Sequence, residues 1–147
     1  MTRFPRARFF FLAPALVASM AQAQAPEWKE AFKDTEKTVY IQVDSVQKSK
    51  RGVQVWLKHQ FAAPLEIKEF NAKVTIMKEK AEYSRDRKWS VRILMYDASG
   101  KQVVDHSNPP QDAGVELIPE TAEVVIAKQV WDLAPKGKKG TAAKTTR

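Results

Sequence analysis

Apolar and polar residues alternate along most of this chain, and the period changes once, near the C-terminus. In TVYIQV, residues 38–43, Val39, Ile41 and Val43 alternate with Tyr40 and Gln42, the period-two pattern of a half-buried strand. The polar stretch DSVQKSKRG then turns the chain, with Gly52 able to take a positive φ. VQVWLKHQF follows, setting Val53, Val55, Leu57, His59 and Phe61 on one face and Trp56 on the other, so the two runs predict a β-hairpin. AAPLEIKEFN, residues 62–71, carries Pro64 and reads as a loop or irregular connection.

AKVTIMKEKAEYS sets Val74 and Ile76 against Thr75 and Met77, a strand whose Lys- and Glu-rich second half is equally suited to a helix by propensity. KWSVRILMY alternates Trp89, Val91, Ile93 and Met95 with Ser90, Arg92, Leu94 and Tyr96, and ends at DASGK, where Asp97 and Gly100 suit a tight turn. QVVDHS predicts the returning strand and NPPQDAG a loop. After Ile118 the period becomes helical. Pro119 and Glu120 suit a first turn, Ala122, Val125, Ile126, Val130 and Leu133 share one face, and Pro135 and Gly137 end the helix. The expected class is α+β, an antiparallel sheet of four to six strands packed by a C-terminal helix.

The first 23 residues follow another logic: basic Arg3, Arg6 and Arg8, an apolar run from Phe9 to Ala18, then small residues up to Ala23. That is the layout of a signal peptide cleaved near Ala23, so export is expected, with the mature chain starting at Gln24. No later apolar stretch approaches the ~20 residues of a span, and no transmembrane segment is expected in the mature chain. The expected location is the periplasm of a Gram-negative cell, or secretion or surface association beyond it. Residues 24–134 form one domain in this reading, and 135–147 a disordered basic tail suited to touching anionic surfaces. With no cysteine, neither a disulfide nor a lipidated cysteine is available.

The net charge of +8 lies in the ends. Three arginines sit in the leader and five cationic residues in the tail, leaving 17 basic against 17 acidic residues between them. A neutral domain lacks the field of a nucleic-acid binder, and none is expected as a partner. The run Arg85-Asp86-Arg87-Lys88-Trp89 accordingly reads as a solvated strand mouth rather than a phosphate grip.

Little in the sequence specifies catalysis. His59 and His106 have no companions at metal-ligand spacing, no nucleophile motif is present, and no catalytic residue, metal or cofactor is assigned. A dispersed carboxylate site is the enzymatic alternative. The strand faces turned from the core carry Tyr40, Trp56, Met77, Leu94 and Tyr96, either an exposed patch for a partner or a surface covered by AAPLEIKEF. Trp56, Tyr40, Tyr96 and Arg92 are the candidate binding residues, because aromatics and Arg dominate interface energetics. The expected partner is a protein or an envelope component, a second copy of the chain included. His59 is the candidate for the alternative, a haem or small-ligand carrier.

Several segments in order resemble the bacterial surface-adhesin protein E-like domain: Trp28-Lys29-Glu30, VYIQVDSV (39–46), GVQVWLKHQF (52–61), RKWSVRILMYDASGKQVV (87–104) and IPETAEVVIAKQVW (118–131). The resemblance implies a small α+β domain that binds rather than catalyses, with haem and host-protein binding attributed to named members. It also implies that Ser84 and Trp131 stand where the family often has a cysteine pair, with packing replacing the bond, and that Val115 and Pro119-Glu120-Thr121 stand for an aromatic and a P-G-S element.

Overall fold

The computed structural model describes residues 24–109 and 112–136. Among these, eight strands precede one helix: β1 (Trp28–Lys33), β2 (Lys37–Gln42), β3 (Gln47–Lys48), β4 (Val53–Ile67), β5 (Ala72–Tyr83), β6 (Arg87–Tyr96), β7 (Gln102–Ser107), β8 (Val115–Glu116) and α1 (Ala122–Leu133). The six longer strands form an antiparallel sheet in the order β1-β2-β4-β5-β6-β7, with β3 added to β4 and β8 to β6. The protein is α+β, as its periodicity indicates, with the helix against β1 and β4. The expected signal peptide, residues 1–23, and residues 137–147 of the expected tail lie outside the described residues.

The strands end where the residues demand it. Asp97 Oδ1 accepts from the backbone N–H groups of Ser99 and Lys101 while Gly100 takes φ +82°, so DASGK closes the β6–β7 hairpin. Gly52 serves a purpose other than a positive φ. A Cβ at that position would fall on the Tyr83 carbonyl, so glycine permits the close approach of β4 to the end of β5.

One face of the sheet buries Val39 and Ile41 from β2, Val53, Val55 and Leu57 from β4, and Ala81 and Tyr83 from β5. Ile126, Ala127 and Val130 of α1 close over them, with Ala31 of β1. Each buried aliphatic side chain contributes about 1.5–3 kcal/mol relative to exposure. The Trp131 Nε1–H donates to the Ser84 carbonyl at 3.2 Å, and the Arg85 guanidinium lies 4.5 Å from the ring centre.

The structure corrects some of the sequence expectations and completes others. The segment 62–71 is no loop through most of its length, since β4 continues to Ile67 and pairs again with β5 after an irregularity between Gln60 and Leu65. Pro64 sits in that irregularity, where a missing N–H is tolerated. β5 is the expected strand throughout, its helix-prone half held between β4 and β6. Strand β1 had no alternation to announce it. Pro119 and Glu120 precede the helix instead of opening it: Glu120 has φ +67°, and Thr121 Oγ1 donates to the Ile118 carbonyl instead of capping. The helix therefore turns Ala127 inward beside Ile126 and Val130, and leaves Val125 46% exposed.

An irregularity in β6 decides the faces. Ser90 pairs with Ala81 and Arg92 with Lys80, so Val91 is the extra residue of a β-bulge. The bulge shifts the alternation of β6: Lys88 and Ser90 join Ile93 and Met95 on the helix side, while Trp89 turns to the other face with Arg92, Leu94 and Tyr96. Met77, directly opposite His59 and Met95, also lies on the helix side, and Ile76 takes its place on the other.

Candidate binding face and cleft

The two faces treat charge differently. Under the helix, Glu79 is 3% exposed and sits among three donors. His59 Nε2 is 3.1 Å and Lys88 Nζ 3.0 Å from its Oε2, and the Ser90 hydroxyl donates to its Oε1. Burial pushes the Glu79 carboxyl up, but the bond from His59, the Lys88 charge and the Ser90 hydroxyl together hold it at about 2. Lys88 also reaches Glu123 Oε1 of α1 at 3.2 Å, and Tyr83 Oη donates to Glu123 Oε2 at 3.3 Å. Burial pulls Lys88 down, and the two carboxylates more than offset it, leaving its ammonium raised. The Tyr83 phenol is pushed far up, first by burial and then by the Glu123 and Glu79 charges.

This array fastens the first turn of α1 to β5 and β6, and its charges face one another. Lys88 thus leaves the expected solvated strand mouth: its side chain is 12% exposed and paired twice. Arg87 donates through Nε to the Ala113 carbonyl, and Arg85 lies over Trp131. His59 is a core residue, 2% exposed, with Nε2 bonded to Glu79 and Nδ1 buried without a partner among the described residues. Iron ligation there would require the core to open wide enough for a macrocycle.

On the other face, Tyr40, Trp56, Tyr96 and Arg92 all lie together, through the registers Tyr40 opposite Lys58, Trp56 opposite Lys80, Lys80 opposite Arg92, and Ile76 opposite Tyr96. Among the described residues no helix packs here. The aromatic rings are covered instead by lysine stems: Lys58 Nζ lies 4.5 Å from the Tyr40 ring centre and 4.8 Å from that of Trp28, and Lys78 Nζ lies 5.2 Å from that of Tyr96.

Lys58 and Lys78 are direct cross-strand neighbours, as are Lys80 and Arg92. Like charges in such positions destabilise a sheet. Arg92 is relieved by a bidentate pair with Asp105, at 3.0 and 2.7 Å. Lys58, Lys78 and Lys80 have no carboxylate at ion-pair distance among the described residues. Partial burial and repulsion from Lys78 lower the Lys58 ammonium.

Beside this row a cleft of about 450 Å³ opens over β5, in the size range of small-ligand sites. Lys80 and Glu82 line it from β5, Trp56 from β4, and Trp89, Val91 and Arg92 from β6, so the bulge that exposes Trp89 also shapes the cleft. Trp89 is fixed three ways. Its Nε1–H donates to the Asp112 carbonyl at 2.9 Å, Arg51 stacks 4.8 Å from the ring centre, and Gly114 at φ +71° lies so close that a Cβ would come within 2.6 Å of Nε1. Glu82 accepts from the Arg51 backbone N–H at 3.2 Å and faces its guanidinium at 3.6 Å.

Of the four candidates, the cleft takes in Trp56 and Arg92, while Tyr40 and Tyr96 stand beside the lysine row. Sequence reasoning missed Lys58, Lys78 and Lys80 as a group, and Trp89 with them. The alternation of β4 and β5 already carried the lysines on the Trp56 face; their meeting depends on register. Among the described residues no three His, Cys, Asp or Glu side chains gather as a metal site, and no helix is long and apolar enough to cross a membrane. No family model, curated protein or solved structure matches the chain.

Proposed function

We propose that the protein is an exported, non-catalytic binding domain whose uncovered sheet face recognises an anionic component of the cell envelope. The observation that carries this reading is the row of Lys58, Lys78 and Lys80, brought together by register, set among aromatics and left without carboxylate partners among the described residues. Facing like charges at a surface repel one another, and an external anion bound there would relieve that repulsion. The leader pattern of residues 1–23 supports export. The resemblance to the surface-adhesin protein E-like domain supports a binding role and rests on its motifs.

Co-sedimentation of the mature chain with outer-membrane vesicles tests this reading at low and high salt. Binding that weakens with salt, and weakens about tenfold or more in Lys58→Glu/Lys78→Glu with the tail unchanged, is expected. Equal binding by the variant would overturn the assignment of this face.

A further inference from the structure

The four tryptophans of the chain are unequally occupied. Trp28 lies under Lys58; Trp89 lies under Arg51 and donates to Asp112; Trp131 lies under Arg85 and donates to Ser84. Trp56 alone has neither a stacked cation nor a side-chain hydrogen bond among the described residues, and it lines the cleft. Directly opposite it on β5 is Lys80, whose ammonium is likewise unpaired among those residues. The Ser107 hydroxyl on the rim is unpaired in the same sense. An idle indole, an idle ammonium and an idle hydroxyl thus line one cleft.

We propose that this cleft binds an acidic saccharide, a sugar ring bearing a carboxylate or a phosphate. The inference rests on the reading of the open face as an anion-binding surface and names the ligand class of the cleft beside its lysines. The apolar face of a pyranose lies on the Trp56 indole, and its anionic group meets Lys80, with Lys50 at the rim. Hydroxyls both donate and accept, so they need both kinds of partner. The cleft supplies both: Lys80, Ser107 and the Gln54 amide as donors, and the Glu82 and Asp112 carboxylates as acceptors. A chain of bare phosphates asks for donors only, and Glu82 and Asp112 would repel it. The order of assembly is also favourable. Trp89, Arg51 and Glu82 are already held by one another, so the ligand orders few side chains on entry.

Intrinsic fluorescence of the mature chain, titrated with an oligogalacturonate, a hexose 6-phosphate, the matching neutral oligosaccharide and inorganic polyphosphate, tests the proposal. A saturable change with the oligogalacturonate or the hexose phosphate is expected, and which of the two binds tighter identifies carboxylate or phosphate as the anion. Neutral sugar and polyphosphate are expected to bind at least about tenfold more weakly. Trp56→Ala and Lys80→Gln should each weaken the acidic sugar about tenfold, with circular dichroism unchanged; Lys80→Gln covers the case in which Trp56→Ala disturbs the sheet. No response to either acidic sugar, a response equalled by polyphosphate, or full affinity in Lys80→Gln would each overturn the cleft assignment. Vesicle binding that depends on Lys58 and Lys78 would still stand in that event, so the two readings fail separately.

Discussion

The two faces of this sheet carry cations from neighbouring strands and use them in opposite ways. On the helix side, Lys88 is buried and lies between Glu79 and Glu123. On the open side, Lys58, Lys78 and Lys80 are half-buried among aromatics and face cations. A buried charge without a partner is costly, so the helix side has to be closed electrostatically for the domain to fold at all. A surface charge faces no such demand, because water and screening salt make an unpaired ammonium inexpensive. The covered face is constrained by folding, and the open face is free to be shaped by a ligand.

The largest effect that separates the faces is expected at Glu79. Glu79→Gln leaves Lys88 and His59 without their shared carboxylate, and should lower the unfolding free energy by about 3–5 kcal/mol in urea titration. The same residue makes the domain acid-sensitive. Its carboxyl is held at about 2 against a usual value of 4.5, so the folded form gains stability above the usual value and loses it as pH falls through the folded one. Stability should drop by about 3 kcal/mol between pH 5 and pH 2 in the wild type, and much less in Glu79→Gln. A third, smaller effect belongs to the cleft. Gly114→Ala forces a side chain at positive φ against the Trp89 indole and should cost about 1–3 kcal/mol, with a red shift in tryptophan emission as Trp89 loosens.

How far the sequence leads depends on which physical rule governs each element. Strands β2, the first half of β4, β6 and β7 announce themselves by period two, and α1 by period 3.6, because each buries one face. Strand β1, WKEAFK, buries only Ala31 and carries charge on half its positions, so it leaves no alternating signal; its place comes from pairing with β2. The faces of β6 were misjudged for a different reason. A bulge inserts one residue without marking the sequence, and from Val91 backward every side chain changes sides. That slip hid Trp89 from the open face and Lys88 from the buried array. The candidate residues Trp56, Tyr40, Tyr96 and Arg92 lie beyond the reach of that slip, and alternation places them together. Their lysine neighbours emerged only with the register of β4 against β5, which is a long-range property.

The smallest expected effect is the most telling, since it separates lysines that serve a ligand from lysines that hold the fold. Removing facing like charges relieves repulsion worth up to about 1 kcal/mol across a strand pair. The direct measurement is the urea unfolding free energy of Lys58→Gln/Lys78→Gln at low salt, beside the wild type. An unchanged value, or a gain of up to about 1 kcal/mol, is the expected result. A loss of about 2 kcal/mol or more would contradict the account, because it would mean that these lysines hold the sheet together as Lys88 does.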